Sequence, residues 1–191
     1  MTKDTAGTIT RATLDDLMRE EGKAELIGGE IVRFMSTGKR ANLVALEIVL
    51  SLRAHARATG VGVAYSDGIG FAVPELASGR ESFGPDAAYH VGPPSAGEGA
   101  EDFVLDAPTF AVEVRSKWDV GPAAERAMAA KRLDYFEAGT LVVWDVDPEA
   151  GLIRSYRRDA PEAPTTFTPG GLADAEPAVP GWRADPADFF G

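Results

Sequence analysis

Two helix-length segments, Lys39–Thr59 and Gly121–Ala138, each followed by a glycine, alternate with short runs rich in β-formers, and this alternation is the feature that most narrows the fold. In the first segment Leu43, Leu46, Val49, Leu50 and Arg53 fall at helical spacing, and Gly60 supplies a stop. The second is rich in alanine, with Arg and Glu interspersed, and Gly139 closes it. Before them, Thr13 is placed to cap a short helix running to about Glu21, with Asp15 and Asp16 near its positive end. The runs 24–27 and 30–35 meet at Gly28-Gly29, a pair that supplies the positive φ angles of a two-residue hairpin turn.

Further strands are expected over 61–66 and 69–73 as a hairpin, then over 86–91, 109–115, 141–146 and 151–157. After Arg158 the density of Pro, Gly, Ala and Asp predicts extended covering structure, anchored by Phe167, Trp182, Phe189 and Phe190. The order of elements gives an α/β class of mixed α+β type: a central mixed β-sheet flanked by helices. At 191 residues and 45% hydrophobic, the chain is expected to form one domain over 1–191, with a core at about 8–158 and a covering segment at 159–191.

Alternation along 110–117 puts Phe110, Val112 and Val114 on one face and Ala111, Glu113, Arg115 and, if the strand runs on, Lys117 on the other. Glu113 stands among apolar residues, where an ionised carboxylate is costly without a cation. It either forms a structural ion pair, with Arg115 as the nearest candidate, or holds a metal. Pro85-Asp86 opens the preceding strand; alone, such a dipeptide reads as a turn. The combination says more. Two acids arriving from successive strands, followed by a helix bearing Lys131, form the oxygen set that a hard divalent cation takes, with a cation beside it to neutralise phosphate charge.

Composition removes several other classes. The chain has no cysteine and only His55 and His90, which excludes disulfides, thiolate catalysis and Cys/His zinc sites, so a metal here is oxygen-bound. Nineteen basic against thirty acidic residues give a net charge of −11, which argues against a general nucleic-acid coat and leaves room only for a locally basic groove. The acidic stretch from Glu98 to Asp106 and the C-terminal acids are expected to solvate the side away from such a groove. No run approaches the ~20 apolar residues of a membrane helix, and Met1 to Thr10 is polar, so a cytoplasmic protein with no membrane partner is expected. Gly68-Ile69-Gly70 lacks the length and lysine of a phosphate-binding loop. His55, between Arg53 and Arg57, reads as part of a solvated helix face, and His90 as a strand residue with a weaker claim to lie near the site. Arg154, Arg157 and Arg158 read as a solvated strand edge, or as a contact to a DNA backbone.

The blocks Ala24-Glu25-Leu26-Ile27-Gly28-Gly29-Glu30-Ile31-Val32, Pro85-Asp86, Val112-Glu113-Val114-Arg115-Ser116, Lys131-Arg132-Leu133-Asp134-Tyr135-Phe136-Glu137-Ala138-Gly139 and Val143-Trp144-Asp145-Val146 occur in an order that resembles the Uma family of restriction-endonuclease-like proteins. They span about Thr8 to Arg158, and the stretch from Val179 to Phe190 resembles the family's C-terminal segment. The resemblance implies the PD-(D/E)xK nuclease superfamily and a restriction-endonuclease-like fold. It also implies Mg2+ or Mn2+ held by Asp86 and Glu113, with DNA as the substrate. The superfamily lysine belongs two positions after the acid, where this chain has Arg115, a group that stabilises charge but cannot serve as a base. By the resemblance its role passes to Lys131, four residues before Tyr135 on one helical face, with Lys117 as the rival. Glu25 is either a further acid or an exposed hairpin residue. The chain also lacks the histidine often found near Ser36–Arg40, and has Gly28-Gly29 in place of Asp-Gly.

The function expected is therefore metal-dependent endonucleolytic hydrolysis of DNA, catalysed by Asp86, Glu113 and Lys131, with Arg115 neutralising the transition state. A homodimer would suit double-strand cleavage. Two alternatives stand beside it: a nuclease-fold scaffold that has lost its chemistry, and a metal-dependent hydrolase of small phosphate esters.

Overall fold

The computed structural model describes residues 11–92 and 103–191; residues 98–102 of the acidic stretch singled out above lie outside them. Helix α1 (Leu14–Met18) is capped reciprocally: the Asp16 amide donates to Thr13 Oγ1 at 3.3 Å and the Thr13 amide to Asp16 Oδ2 at 2.9 Å. It ends at Met18, short of the expected Glu21. Strands β1 (Ala24–Ile27) and β2 (Glu30–Arg33) form the expected hairpin, with Gly28 and Gly29 at φ of 62° and 76°.

Helix α2 runs over Lys39–Thr59 and ends on Gly60 in the left-handed region, as its sequence predicts. The side it presents to the sheet is Val44, Ala45, Ile48, Val49 and Leu52, while Leu43, Leu46 and Leu50 are exposed. Two apolar stripes fit the same 3.6-residue period; the small Ala41 and Ala45 let the helix approach the sheet along the first of them.

Strands β3 (Val63–Ser66), β4 (Phe71–Ala72), β5 (Ser82–Phe83), β6 (Ala87–His90) and β7 (Phe110–Val114) follow. The hairpin expected over 61–73 is not formed. Strand β3 pairs antiparallel with β6 at the edge of the main sheet, whereas β4 pairs with β5 in a separate ribbon. Local alternation could not foresee this, because both partners lie further along the chain. Helix α3 (Gly121–Ala138) then carries the chain from β7 to β8 (Val142–Asp147), its parallel neighbour, and β9 (Leu152–Arg157) returns antiparallel.

The sheet continues past Arg158, where only covering structure was expected. Strand β10 (Ala160–Phe167), with its prolines, forms the outer edge and completes the order β10-β9-β8-β7-β6-β3. Strand β9 is therefore internal, which corrects the reading of Arg154 and Arg157 as an edge; Arg157 pairs locally with Asp159 at 2.7 Å. Strands β11 (Ala173–Asp174) and β12 (Arg183–Ala184) and helix α4 (Ala187–Phe190) close the chain.

The sheet is mixed and covered on both faces, as expected for the class. On one face Phe110, Val112, Trp144 and Val146 pack against α2 and against Trp182 and Phe189 of the C-terminal segment. On the other, Ala111, Val143 and Tyr156 meet Tyr135 and Phe136 of α3 and the aromatic pair Phe71 and Phe83 of the β4–β5 ribbon. Each fully buried large side chain contributes roughly 1.5–3 kcal/mol. The second face also receives Glu113 and Asp145, paired across β7 and β8. Among the described residues no helix is long and apolar enough to cross a membrane.

Candidate active site

The site lies where three elements converge on the α3 face of the sheet. The amide of Asp86 donates to the carbonyl of Val112 at 3.0 Å, and the Val114 amide donates to Asp86 Oδ2 at 2.7 Å. These two bonds fix the carboxylate beside β7, so Asp86 is a strand-entry residue rather than a free turn. Glu113 projects from β7 toward α3. There Lys131 and Tyr135, one helical turn apart, both reach its Oε1: the Lys131 ammonium at 2.8 Å and the Tyr135 hydroxyl, donating, at 2.7 Å.

Glu25 is the third carboxylate. The expectation of an exposed hairpin residue is overturned: Glu25 is 0% exposed, 2.9 Å from Lys131, ion-paired with Arg80, and accepting the Gly84 amide at 3.0 Å. Arg80 in turn donates to Asp134 of α3 at 2.8 Å. The signal was present in the sequence, since a glutamate among Ala24, Leu26 and Ile27 is subject to the same burial argument as Glu113. Its partners, however, come from distant parts of the chain.

Lys23 went unnoticed in the sequence. It stands two residues before Glu25, and its ammonium lies 2.6 Å from Asp86 and 2.9 Å from Asp67. Lys117, the rival to Lys131, is exposed and stacks 4.6 Å from the centre of the Trp118 ring instead of reaching Glu113. His90 points to the carbonyl of Ala107 at 3.2 Å, at the far end of β6 from Asp86, so it takes no part in the site.

The electrostatics follow from this crowding. Burial pushes the Glu113 carboxyl above its usual range, and the charges of Asp86 and Glu25 push the same way against Lys131. Burial by itself would lower the Lys131 ammonium, but Glu113 and Glu25 together hold it well above its ordinary value. Glu25 is lowered: burial opposes its charge, and Lys131 and Arg80 outweigh burial.

A groove of about 820 Å³ opens over these groups, and Glu25, Asp86, Glu113 and Lys131 line it. Among the described residues no three acids or histidines are spaced to enclose a metal by themselves. The donor set nonetheless fits a hard cation that keeps several waters, because Asp86 and Glu113 supply two carboxylates whose mutual repulsion a divalent charge would relieve.

A family model described as "Putative restriction endonuclease" matches residues 11–187, nearly the whole described chain. The chain belongs to the Uma2 family. A crystal structure described as that of "a putative nuclease belonging to DUF820" from Anabaena variabilis is similar over 93% of this chain and 97% of its own, with a TM-score of 0.72 and 20% identity. That likeness shows the fold. No curated protein matches.

In this Uma2 protein Arg115 stands where the sequence resemblance leads one to expect a lysine, and its contacts are those of a structural residue. The Arg115 guanidinium donates to Asp145 at 2.6 and 2.7 Å and to Glu125 at 3.0 Å. Asp145 is 0% exposed and also receives Arg132 at 3.4 Å. Arg115 thus joins the sheet to α3, with its donors committed to carboxylates.

Proposed function

We propose that this Uma2 protein is a metal-dependent endonuclease that hydrolyses DNA phosphodiester bonds within the PD-(D/E)xK scheme. The observation that carries this reading is the convergence of Asp86 and Glu113 from neighbouring strands on one groove, with the Lys131 ammonium 2.8 Å from Glu113. Asp86 and Glu113 would hold Mg2+ or Mn2+. When bound, such an ion polarises a phosphoryl oxygen and makes water a stronger nucleophile at neutral pH.

The chain's own groups have distinct tasks. Lys131, whose ammonium Glu113 and Glu25 stabilise, is placed to position water and offset developing phosphate charge. Tyr135 orients Glu113 through its hydroxyl, and Glu25 with Arg80 fixes the Lys131 side chain from behind. Lys23 balances Asp86 at the other end of the site.

One observation favours a second reading, that of a binding scaffold with the nuclease fold: Asp86 and Glu113 each already have an ammonium partner, Lys23 and Lys131. Cleavage of supercoiled plasmid in magnesium or manganese separates the two. Nicking that is lost in folded Asp86→Ala and Glu113→Ala proteins supports the nuclease. No nicking by the native protein, with no metal binding by calorimetry, would favour the scaffold.

A further inference from the structure

The chain has only five lysines, and all four that lie among the described residues, Lys23, Lys39, Lys117 and Lys131, line the same groove. In a chain of net charge −11 this is a local concentration of lysine charge. Lys23 and Lys131 are engaged by carboxylates on the groove floor. Lys39 and Lys117 are exposed and have no ion pair among the described residues.

Two aromatic rings lie along the same groove and face solvent. Phe34, just past the β1–β2 hairpin, is 42% exposed, and Trp118, in the loop between β7 and α3, is 76% exposed. Each ring is close to a lysine: Lys131 Nζ is 5.7 Å from the centre of Phe34, and Lys117 Nζ is 4.6 Å from the centre of Trp118. The other two tryptophans, Trp144 and Trp182, are buried in the core.

From this arrangement we infer that the groove takes an unpaired DNA strand, with bases stacked on Phe34 and Trp118 and the backbone drawn along the lysines. The inference rests on the nuclease reading and narrows its substrate. A paired duplex keeps the faces of its bases inside its own stack, so only unpaired bases can use exposed rings. Stacking tolerates any base, and the lysines supply the sequence-independent attraction to phosphate. A base on Phe34 also places its nucleotide beside Lys131 and Glu113, where the phosphodiester would have to lie. An apolar partner would cover the rings but would leave two unpaired lysines facing it.

The test is titration with a short oligothymidylate strand and with a blunt duplex of equal length, in calcium to limit cleavage, following tryptophan fluorescence and anisotropy. With Trp144 and Trp182 buried, quenching reads Trp118. The expected result is quenching by the single strand, tighter binding of the strand than of the duplex, and roughly 5- to 150-fold weaker strand binding in folded Phe34→Ala and Trp118→Ala proteins. Replacing Lys39 and Lys117 by alanine should flatten the salt dependence of that binding. Duplex binding as tight as strand binding, or ring variants that bind like the native protein, would overturn the inference. So would a dimer by sedimentation that dissociates on Trp118→Ala, since a second copy would then cover the patch. Loss of the nuclease reading alone would leave a different pattern: strand binding and quenching intact, with no cleavage of any DNA in magnesium.

Discussion

Arg115 grips Asp145 through two hydrogen bonds of 2.6 and 2.7 Å, although it stands two residues after Glu113, where the sequence resemblance leads one to expect a lysine. The arrangement gives Arg115 a structural role, and in the proposed site the cation role falls to Lys131 of α3. Restoring the signature by Arg115→Lys should therefore not raise activity. It should cost about 1–3 kcal/mol, because an ammonium cannot reproduce the planar fork to Asp145. Arg115→Ala, which leaves the buried Asp145 only the 3.4 Å contact with Arg132, should cost about 3–5 kcal/mol. Urea unfolding of both variants against the native protein measures this.

Lys131 is the residue whose loss tests the proposed chemistry most directly, provided the variant is shown to be folded, because its removal also leaves Glu25 short of a buried counter-charge. Lys131→Met fills the same space but removes the charge between Glu113 and Glu25. Single-turnover cleavage should fall roughly 100- to 1,000-fold in magnesium, as for the loss of other charge-stabilising groups. A rate unchanged within a few-fold would remove Lys131 from the mechanism.

Glu25 gives a pH dependence whose sign is fixed by its partners. Its folded-state value lies below the ordinary 4.5, so its ionised form stabilises the fold above that value, and the contribution disappears as pH falls through the depressed one. Glu25→Gln should be less stable than the native protein at neutral pH, by about 3–5 kcal/mol, because Arg80 and Lys131 lose a buried counter-charge. Its stability should also fall less steeply below pH 4.5. Denaturant midpoints measured across the acid range read both effects.

The two apolar stripes of α2 can be told apart by substitution. Ile48, at 0% exposure, should cost about 2–5 kcal/mol when changed to alanine. Leu46, 43% exposed, should tolerate glutamine within about 0.5 kcal/mol. Thermal melts of the two variants decide which stripe faces the sheet in solution.

Local signals in the chain were enough to locate α2, α3 and the β1–β2 hairpin, because helix period, terminal glycines and the Gly28-Gly29 turn act over a few residues. The same reasoning placed Asp86 at the start of one strand and Glu113 inside the next, since alternation and the cost of a buried carboxylate are also properties of short segments. What the sequence did not determine is which segments meet. Strand β3 pairs with β6 rather than with its neighbour, β10 extends the sheet, and Glu25, Lys23 and Arg115 take partners that sequence proximity does not mark. Those choices depend on long-range packing and on where each buried charge finds its counter-charge, and only the tertiary structure, by bringing distant groups within a few ångströms, settles them.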